Sequence, residues 1–277
     1  MLRFGPAGIP ASGRTHEEGL QLVNALGLGA LEVEFVHGVR MGFEEAARIG
    51  RLARKLDILL SAHAPYYINL NSKDEAIVEK SVKRIVDTMR MAGALGARTV
   101  VVHAGYYSGM DPARATQVMV RRVRECRDAA DAAGCREVML GLETMGRRAS
   151  WGTVEEIMEV AGHVDRVVPV LDFSHVHARC NGCLTTAEAF RELLDRLAGP
   201  GTRSLHCHFS GIEFGRAGER RHLEVVSASP DFSLLAPVLL ERDADITIIC
   251  ESPLLEQDAL LMKKMTENAT KADGRRQ

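Results

Sequence analysis

The sequence predicts a single (β/α)8 barrel, and three observations favour that fold class. Short apolar runs rich in β-branched residues recur eight times along the 277-residue chain, and such runs are typical of parallel strands buried on both faces. Amphipathic stretches with a 3.6-residue period separate them. No linker rich in Pro, Gly or Ser divides the chain, and strand–helix alternation over this length is the pattern of one such barrel.

The eight predicted strands read, in order, LRFG near residue 2, LEVEF at 31, ILLSAH at 58, TVVVHA at 99, VMLGLE at 138, VVPVLD at 167, SLHCHF at 204 and ITIICE at 246. We expect residues 1–270 to form one domain and residues 271–277 to be a polar tail. An open doubly wound sheet is the structural alternative, but the chain has no G-x-G-x-x-G fingerprint that would favour one.

The clearest helix between the strands covers residues 74–96, and two glycines stand near its end. An apolar stripe at helical spacing should face the core. Its members are Ile77, Val78, Val82, Ile85, Val86 and Met89.

Composition is typical of a soluble globular protein. Hydrophobic residues make up 46% and charged residues 26% of the chain, and no apolar run approaches the roughly 18 residues that span a bilayer. The N-terminus lacks the apolar stretch of a signal peptide. A formal net charge of −2 gives no global attraction to nucleic acid, so any basic surface must be local. We expect a cytoplasmic protein with no membrane partner, and a monomer.

The six cysteines are scattered and lack the density of a secreted disulfide framework. Cys180 and Cys183 form the one C-x-x-C, which could bind a metal or act as a redox pair. Because there is no second pair and no thioredoxin-like context, we expect reduced cysteines.

Polar side chains end six consecutive predicted strands, the third to the eighth. They are His63, His103, Glu143, Asp172, His208 and Glu251, and two more histidines, His175 and His222, follow in loops. In a (β/α)8 barrel, side chains at the carboxyl ends of the strands form the active site. Burying so many polar groups without partners would be costly. Imidazole with carboxylate is the ligand set of zinc or manganese.

Eight candidate ligands exceed the needs of one ion. Since one ion takes about four protein ligands, the sequence predicts two or three ions, and a carboxylate in the middle of the run, Glu143, could bridge two of them. Polynuclear sites of this type bind phosphate groups and activate water for attack on phosphorus.

Six motifs resemble, in order, those of endonuclease IV, the zinc-dependent apurinic/apyrimidinic endonuclease family of xylose-isomerase-like barrels. They are HAPYYINL at 63–70, HAG at 103–105, LET at 142–144, LDFSH at 171–175, HFSG at 208–211 and CES at 250–252. The similarity spans residues 1 to about 265. It implies a trinuclear zinc enzyme that hydrolyses the phosphodiester 5′ to an abasic site in double-stranded DNA.

The resemblance also implies one set of ligands for each ion. The sets are His63, His103 and Glu143 for the first ion, Glu143, Asp172, His208 and Glu251 for the second, and His175 and His222 for the third. Glu143 and Glu251 are the expected catalytic carboxylates. His177 has no counterpart in the motif, and we expect it to be structural.

The chain departs from the family pattern at the third ion, which in the family also takes an Asp two residues before the last His. Here Arg220 stands at that position, and a guanidinium cannot ligate a cation. Glu219 can substitute if the loop bends differently. The loop after the first strand, GPAGIPASG, also lacks the His of the family.

The loops after the strands are the expected DNA surface. Tyr66 and Asn69 match family positions, and Tyr66 corresponds to a residue that helps distort DNA. Arg40 lies roughly where the family has a minor-groove arginine. Arg147 and Arg148 belong to a set of loop arginines on the same side, and arginine suits bidentate phosphate contact. A solvated basic rim is the alternative interpretation.

Two other functions compete with the nuclease. A sugar isomerase or epimerase of the same superfamily would need one divalent ion, for which Glu143, Asp172, His208 and Glu251 suffice, but four histidines would then have no role. A non-catalytic protein that binds damaged DNA would keep the metal site without cleaving.

Overall fold

The computed structural model describes residues 1–197 and 203–273. The strands are β1 (Leu2–Pro6), β2 (Ala30–Glu34), β3 (Leu59–His63), β4 (Thr99–Val102), β5 (Met139–Glu143), β6 (Val167–Asp172), β7 (Ser204–Phe209), β8 (Gly211–Gly215), β9 (Gly218–Leu223) and β10 (Asp245–Cys250). The helices are α1 (His16–Ala25), α2 (Phe43–Lys55), α3 (Glu75–Leu95), α4 (Pro112–Ala132), α5 (Val154–His163), α6 (Phe173–Arg179), α7 (Ala187–Leu197), α8 (Phe232–Leu240) and α9 (Glu256–Asp273).

The predicted fold class is confirmed by the strand order. All eight predicted strands are present, and they form one sheet in the order β1-β10-β7-β6-β5-β4-β3-β2. Neighbours pair in parallel, as Val101 of β4 does with Gly141 of β5. Helices separate successive strands of this sheet, as the alternation of sequence patterns predicts.

Two compact units divide the chain, one made of Glu32–Val170 and the other of Met1–Leu31 with Leu171–Gln277. The first, the middle unit, contains most of β2, the elements from α2 to α5 and β6 up to Val170. The second, the terminal unit, contains β1, α1, the end of β6 and the elements from α6 to α9. In the middle unit, β4 is buried along its whole length.

Helix α3 buries part of the predicted stripe, but the buried face also includes two polar residues. Val78, Ile85 and Met89 are buried as expected, but Ile77 is 41% exposed. Ser81 and Thr88 lie on the buried face instead, where their hydroxyls donate to carbonyls four residues earlier. This intrahelical bonding removes the cost of burying a hydroxyl, so a purely apolar stripe misplaces the buried face.

A hairpin of β8 and β9 follows β7 and was not predicted. Its sequence, GIEFGRAGERRHL, is polar and glycine-rich and lacks the alternation of a half-buried strand. The strands pair antiparallel, Ile212 with His222 and Gly215 with Gly218. The hairpin belongs to the terminal unit.

Two further features correct or extend the sequence predictions. Cys180 and Cys183 are joined in a disulfide, so the prediction of reduced cysteines is wrong for this pair. Left-handed backbone at Asn181 and Gly182 reverses the chain between them. Helix α9 continues to Asp273, into the predicted tail, and residues 274–277 lie outside the described residues. Among the residues described, no helix combines the length and apolar character needed to cross a membrane.

Candidate metal centre

The middle unit brings together His63, His103 and Glu143. His63 and Glu143 are the last residues of β3 and β5, and His103 directly follows β4. Because these neighbouring strands are parallel, their carboxyl ends meet at one edge of the sheet. The Nε2 atoms of His63 and His103 lie 3.3 and 2.8 Å from Oε2 of Glu143. Three ligand atoms within 4.8 Å of one another form a group that could hold a cation; we call it the middle cluster.

Electrostatics around His63 favour a cation. Nδ1 of His63 lies 2.7 Å from the carbonyl oxygen of Ala64, and because a carbonyl only accepts, Nδ1 donates. Nε2 is directed at Glu143 and is the nitrogen that a bound metal would contact, since the other ring nitrogen already donates to a carbonyl. Burial alone lowers the pKa of His63, but the negative charges of Glu34, Glu143 and Glu32 outweigh it and raise the pKa to about 10.

Glu32 and Glu34 are functional candidates that the sequence reasoning missed. Glu32 is fully buried and accepts a hydrogen bond from Ser61 Oγ at 2.6 Å. Their two-residue spacing in LEVEF places both on one face of β2, a signal that could have found them. They add negative potential at His63, and this potential favours a bound cation.

The terminal unit holds a second group of donors, formed by Asp172, His175, His222 and Glu251; we call it the terminal cluster. Asp172 ends β6 and caps α6, where its Oδ1 accepts from the backbone N–H of His175 at 2.8 Å. Its Oδ2 lies 3.4 Å from His175 Nδ1. Glu251 Oε2 lies 3.8 Å from His222 Nδ1. One ligand atom from each residue lies within 4.8 Å of the others, a spacing that suits one ion.

Glu219 also reaches the terminal cluster, because the hairpin that carries it is irregular at the next residue, Arg220. Its Oε2 lies 3.5 Å from His175 Nε2. Glu213 of β8 pairs with Arg221 and Phe214 pairs with Glu219, which leaves Arg220 without an opposite residue. Such a β-bulge re-aims side chains. Arg220 and Arg221 both contact Glu213.

His208 lies beside Glu251, with 3.2 Å between Nδ1 and Oε1. The second predicted ligand set also includes Asp172 and Glu143. Asp172, His208 and Glu251 belong to the terminal unit, whereas Glu143 belongs to the middle unit. The role of Glu143 as a bridge between two ions stays a prediction.

The donor chemistry of both clusters fits zinc or manganese. Each cluster combines imidazole nitrogens with carboxylate oxygens, the ligands that these ions prefer. Most of the donor residues are buried, and His103, His222 and Glu251 are partly exposed. A buried set of carboxylates and imidazoles is stable when a cation neutralises it. The structure brings these predicted residues together in groups that could hold a metal, and their role as ligands and the identity and number of ions stay predictions.

The predicted DNA-binding residues of the middle unit include exposed side chains and one, Asn69, that bonds to the backbone of two loops. Tyr66 is 51% exposed, and its ring stacks on His103 at 5.2 Å between centroids. Arg40, Arg147 and Arg148 are exposed. Asn69 instead joins two loops, because its Oδ1 accepts from the backbone N–H groups of Asn71 and Tyr106.

Gly105, in the loop after β4, allows that loop to approach Asn69. Gly105 has a φ of +132°, and a Cβ there would lie 2.4 Å from Asn69 Oδ1. The loop after β4 can therefore approach Asn69 only with glycine at this position. Asn69 fixes the loops that carry Tyr66 and Tyr106.

His177 is two residues from His175 but is not one of the donors of the terminal cluster. It is buried, its Nδ1 accepts from the backbone N–H of Leu184 at 3.1 Å, and its Nε2 lies 3.0 Å from Ser229 Oγ. Burial lowers the pKa of His177, which favours this neutral, hydrogen-bonded state.

Comparison with known proteins gives relatives for nearly the whole chain. Residues 20–268 match the family model of the xylose isomerase-like TIM barrel. An uncharacterized protein of Methanocaldococcus jannaschii is 35% identical over 268 residues, which are 95% of this chain and 96% of that protein. A probable endonuclease 4 of Oceanobacillus iheyensis is 26% identical over 204 residues, 71% of this chain and 67% of that protein.

Solved structures of two enzyme classes share the fold. A D-tagatose 3-epimerase-like protein superposes with a TM-score of 0.72 at 20% identity, covering 99% of both chains. Endonuclease IV from Thermus thermophilus superposes with a TM-score of 0.71 at 19% identity, covering 98% of this chain and 99% of that one. These similar scores establish the fold and do not distinguish the two activities.

Proposed function

The chain belongs to the xylose isomerase-like TIM barrel family, and we propose that it is a metal-dependent DNA-repair endonuclease that hydrolyses the phosphodiester 5′ to abasic sites. One observation carries the proposal: each compact unit has its own cluster of imidazole and carboxylate donors. A single-ion enzyme has no use for two such clusters. Similarity to probable endonucleases 4 in sequence supports the same choice.

Zinc or manganese bound to these donors would act as Lewis acids on phosphate oxygens. Glu143 and Glu251 each contact two imidazoles, His63 and His103 in the first case, His208 and His222 in the second. Each carboxylate thereby orients a pair of donors. We expect their loss to disturb more than one ligand, which is why we propose them as the catalytic carboxylates.

Abasic double-stranded DNA is the proposed partner. Tyr66 stacks one face of its ring on His103 and is half exposed, so the exposed part can pack against a sugar or base. The exposed guanidinium groups of Arg40, Arg147 and Arg148 suit phosphate contacts. Asn69 supports this surface through the loops that it joins. We propose that the protein acts as a monomer.

A sugar epimerase is the second candidate, because epimerase-like structures share this fold along the whole chain. One ion would serve that reaction, and His63 and His103 of the middle cluster would have no function in it. The donor sets therefore favour the nuclease.

A direct comparison of substrates tests the proposal. The purified protein is incubated with manganese or zinc and a labelled duplex that contains one tetrahydrofuran abasic site, and in parallel with ketohexoses. We expect incision 5′ to the abasic site, abolished by a chelator, and no epimerised sugar. Epimerisation without incision would replace the nuclease by the second candidate. Binding of abasic DNA without incision would indicate a damage-binding protein.

A further inference from the structure

The C-x-x-C disulfide lies in a loop, residues 180–184, that directly follows the helix of His175. Both Cys180 and Cys183 are exposed, whereas the other four cysteines are buried. An exposed disulfide is open to attack by an external thiolate. Its place in the fold decides what such attack would change.

His177 holds this loop in its folded position. The backbone N–H of Gly182 donates to the carbonyl oxygen of His177 at 2.8 Å, and the N–H of Leu184 donates to its Nδ1 at 3.1 Å. Because Nδ1 accepts, Nε2 carries the proton and donates to Ser229 Oγ. The disulfide closes the same turn, where Gly182 has a φ of +97°.

The loop also packs against the hairpin of β8 and β9. The ring of His177 meets Phe214 of β8 edge-on, with 5.2 Å between centroids. A Cβ at Gly182 would lie 3.3 Å from the ring of Phe214, so this turn lies close against that side chain. The same hairpin carries Glu219 and His222, and through them it reaches the terminal cluster.

Contacts at the sulfurs favour reversible chemistry. The backbone N–H of Cys183 donates to the sulfur of Cys180 at 2.9 Å, and such a bond stabilises negative charge on that sulfur. The N–H of Cys183 therefore makes Cys180 the better leaving thiolate of the two. Once this thiolate has taken up a proton, the thiol can donate to the carbonyl oxygen of His177, which lies 3.2 Å from the sulfur.

We propose that Cys180 and Cys183 form a reversible thiol–disulfide site, reduced by an external dithiol, whose redox state sets how firmly the loop holds the β8–β9 hairpin. A thiolate of the dithiol attacks Cys183 Sγ, and the bond between the two cysteines breaks with its electron pair going to Cys180. The second thiolate of the reagent then displaces Cys183 from the mixed disulfide. Two electrons pass to the protein, both cysteines take up protons, and the reagent leaves as its disulfide.

The remaining cysteines do not compete for this chemistry. Burial raises the pKa of Cys126, Cys207 and Cys250 to about 12, so their reactive thiolate forms are scarce near neutral pH. They serve as internal controls for labelling. Neither the redox step nor its effect on the hairpin requires the proposed DNA cleavage.

Alkylation and hydrogen exchange test the proposal on the full chain. The protein is equilibrated in mixtures of reduced and oxidised dithiothreitol, labelled with a maleimide and mapped by mass spectrometry. We expect Cys180 and Cys183 to gain label together, well before the buried cysteines. In the reduced protein, amide exchange of residues 180–184 and of the hairpin, residues 211–223, should be at least about fivefold faster, as for a segment that opens more readily.

A matched pair of variants separates the two cysteines. Cys183→Ser and Cys180→Ser both remove the disulfide, and both should exchange at the hairpin like the reduced wild type. Cys180 in the first variant should react faster than Cys183 in the second, because residue 183 keeps its N–H. Three results would each overturn the proposal. The cysteine pair could stay oxidised in excess dithiothreitol, the amide exchange of the hairpin could be the same before and after reduction, or Cys183 could react faster than Cys180.

Discussion

Glu219 Oε2 lies 3.5 Å from His175 Nε2, and the β-bulge at Arg220 accounts for the direction of the Glu219 side chain. The bulge turns Arg220 and Arg221 toward Glu213 and leaves Glu219 and His222 on the side of His175. A carboxylate thus reaches the cluster although arginine occupies the position where the endonuclease IV pattern has Asp. This carboxylate stands one residue earlier in the chain than the Asp of that pattern.

Replacing Glu219 with Gln should weaken ion binding at the terminal cluster. The amide keeps the shape but removes the negative charge, and loss of a group that contacts a ligand costs roughly 10–100-fold in affinity. Glu213→Gln is the matched control, since Glu213 contacts Arg220 and Arg221 on the other side of the hairpin. Titration with manganese measures the ion affinity of both variants. Equal affinities in the two variants would remove Glu219 from the donor set.

Replacing Glu143 with Gln should reduce incision of an abasic duplex by roughly two orders of magnitude or more, because its carboxylate contacts both imidazoles of the middle cluster. Glu159→Gln removes an exposed carboxylate of α5 and should leave the rate unchanged. Rates are measured on a labelled duplex, with folding checked by circular dichroism. Wild-type incision by Glu143→Gln would exclude this residue from catalysis.

Replacing Arg147 and Arg148 with Ala should flatten the salt dependence of abasic-duplex binding. Each phosphate contact adds about 0.9 to the slope of log affinity against log salt, so the loss of two should lower it by roughly 2. The double variant of Arg51 and Arg121, exposed on α2 and α4, makes the same change in net charge elsewhere. If both double variants give the same slope, the loop arginines have no special contact with DNA.

Replacing Asp131 with Asn should destabilise the middle unit at neutral pH. Hydrogen bonds from Arg166 and Arg127 lower the pKa of Asp131 to about 2. The substitution removes the carboxylate partner of Arg127. Because Arg127 is buried, its unpaired charge should lower the free energy of unfolding by about 3 kcal/mol. A depressed pKa means that the ion pairs stabilise the fold above the ordinary pKa of 3.8 and cease to do so as the pH falls toward 2.

Denaturant unfolding measures the difference in free energy of unfolding between wild type and Asp131→Asn. This difference should be largest at neutral pH, near pH 7, and should shrink below pH 4. Asp128→Asn, an exposed carboxylate on the same helix, is the control and should show little effect at either pH. A difference between wild type and Asp131→Asn that does not vary with pH would contradict the assignment.

The eight strands of the sheet were predictable from the sequence, because a strand buried on both faces needs a continuous apolar run. The ends of those runs also predicted which residues would meet, as His63, His103 and Glu143 do. Helix α3 shows the limit of this reasoning. Its buried face includes Ser81 and Thr88, whose hydroxyls bond within the helix, and apolar periodicity cannot detect that.

The hairpin and the position of Glu219 were not predictable for a different reason. Strands β8 and β9 are held together by backbone pairing and carry mostly polar side chains, so burial leaves no pattern in their sequence. A bulge depends on the register between two strands. No property of Arg220 alone indicates that it will be turned away while Glu219 is turned toward His175.

An anomalous-difference map at the zinc absorption edge, from crystals grown with zinc, shows whether each of the two clusters binds an ion. We expect one peak against His63, His103 and Glu143, and another against Asp172, His175, His222 and Glu251. Glu219 should lie beside the second peak. A single zinc ion, with one of the two clusters empty at full occupancy of the other, would overturn the proposal of two metal clusters and favour a one-ion enzyme.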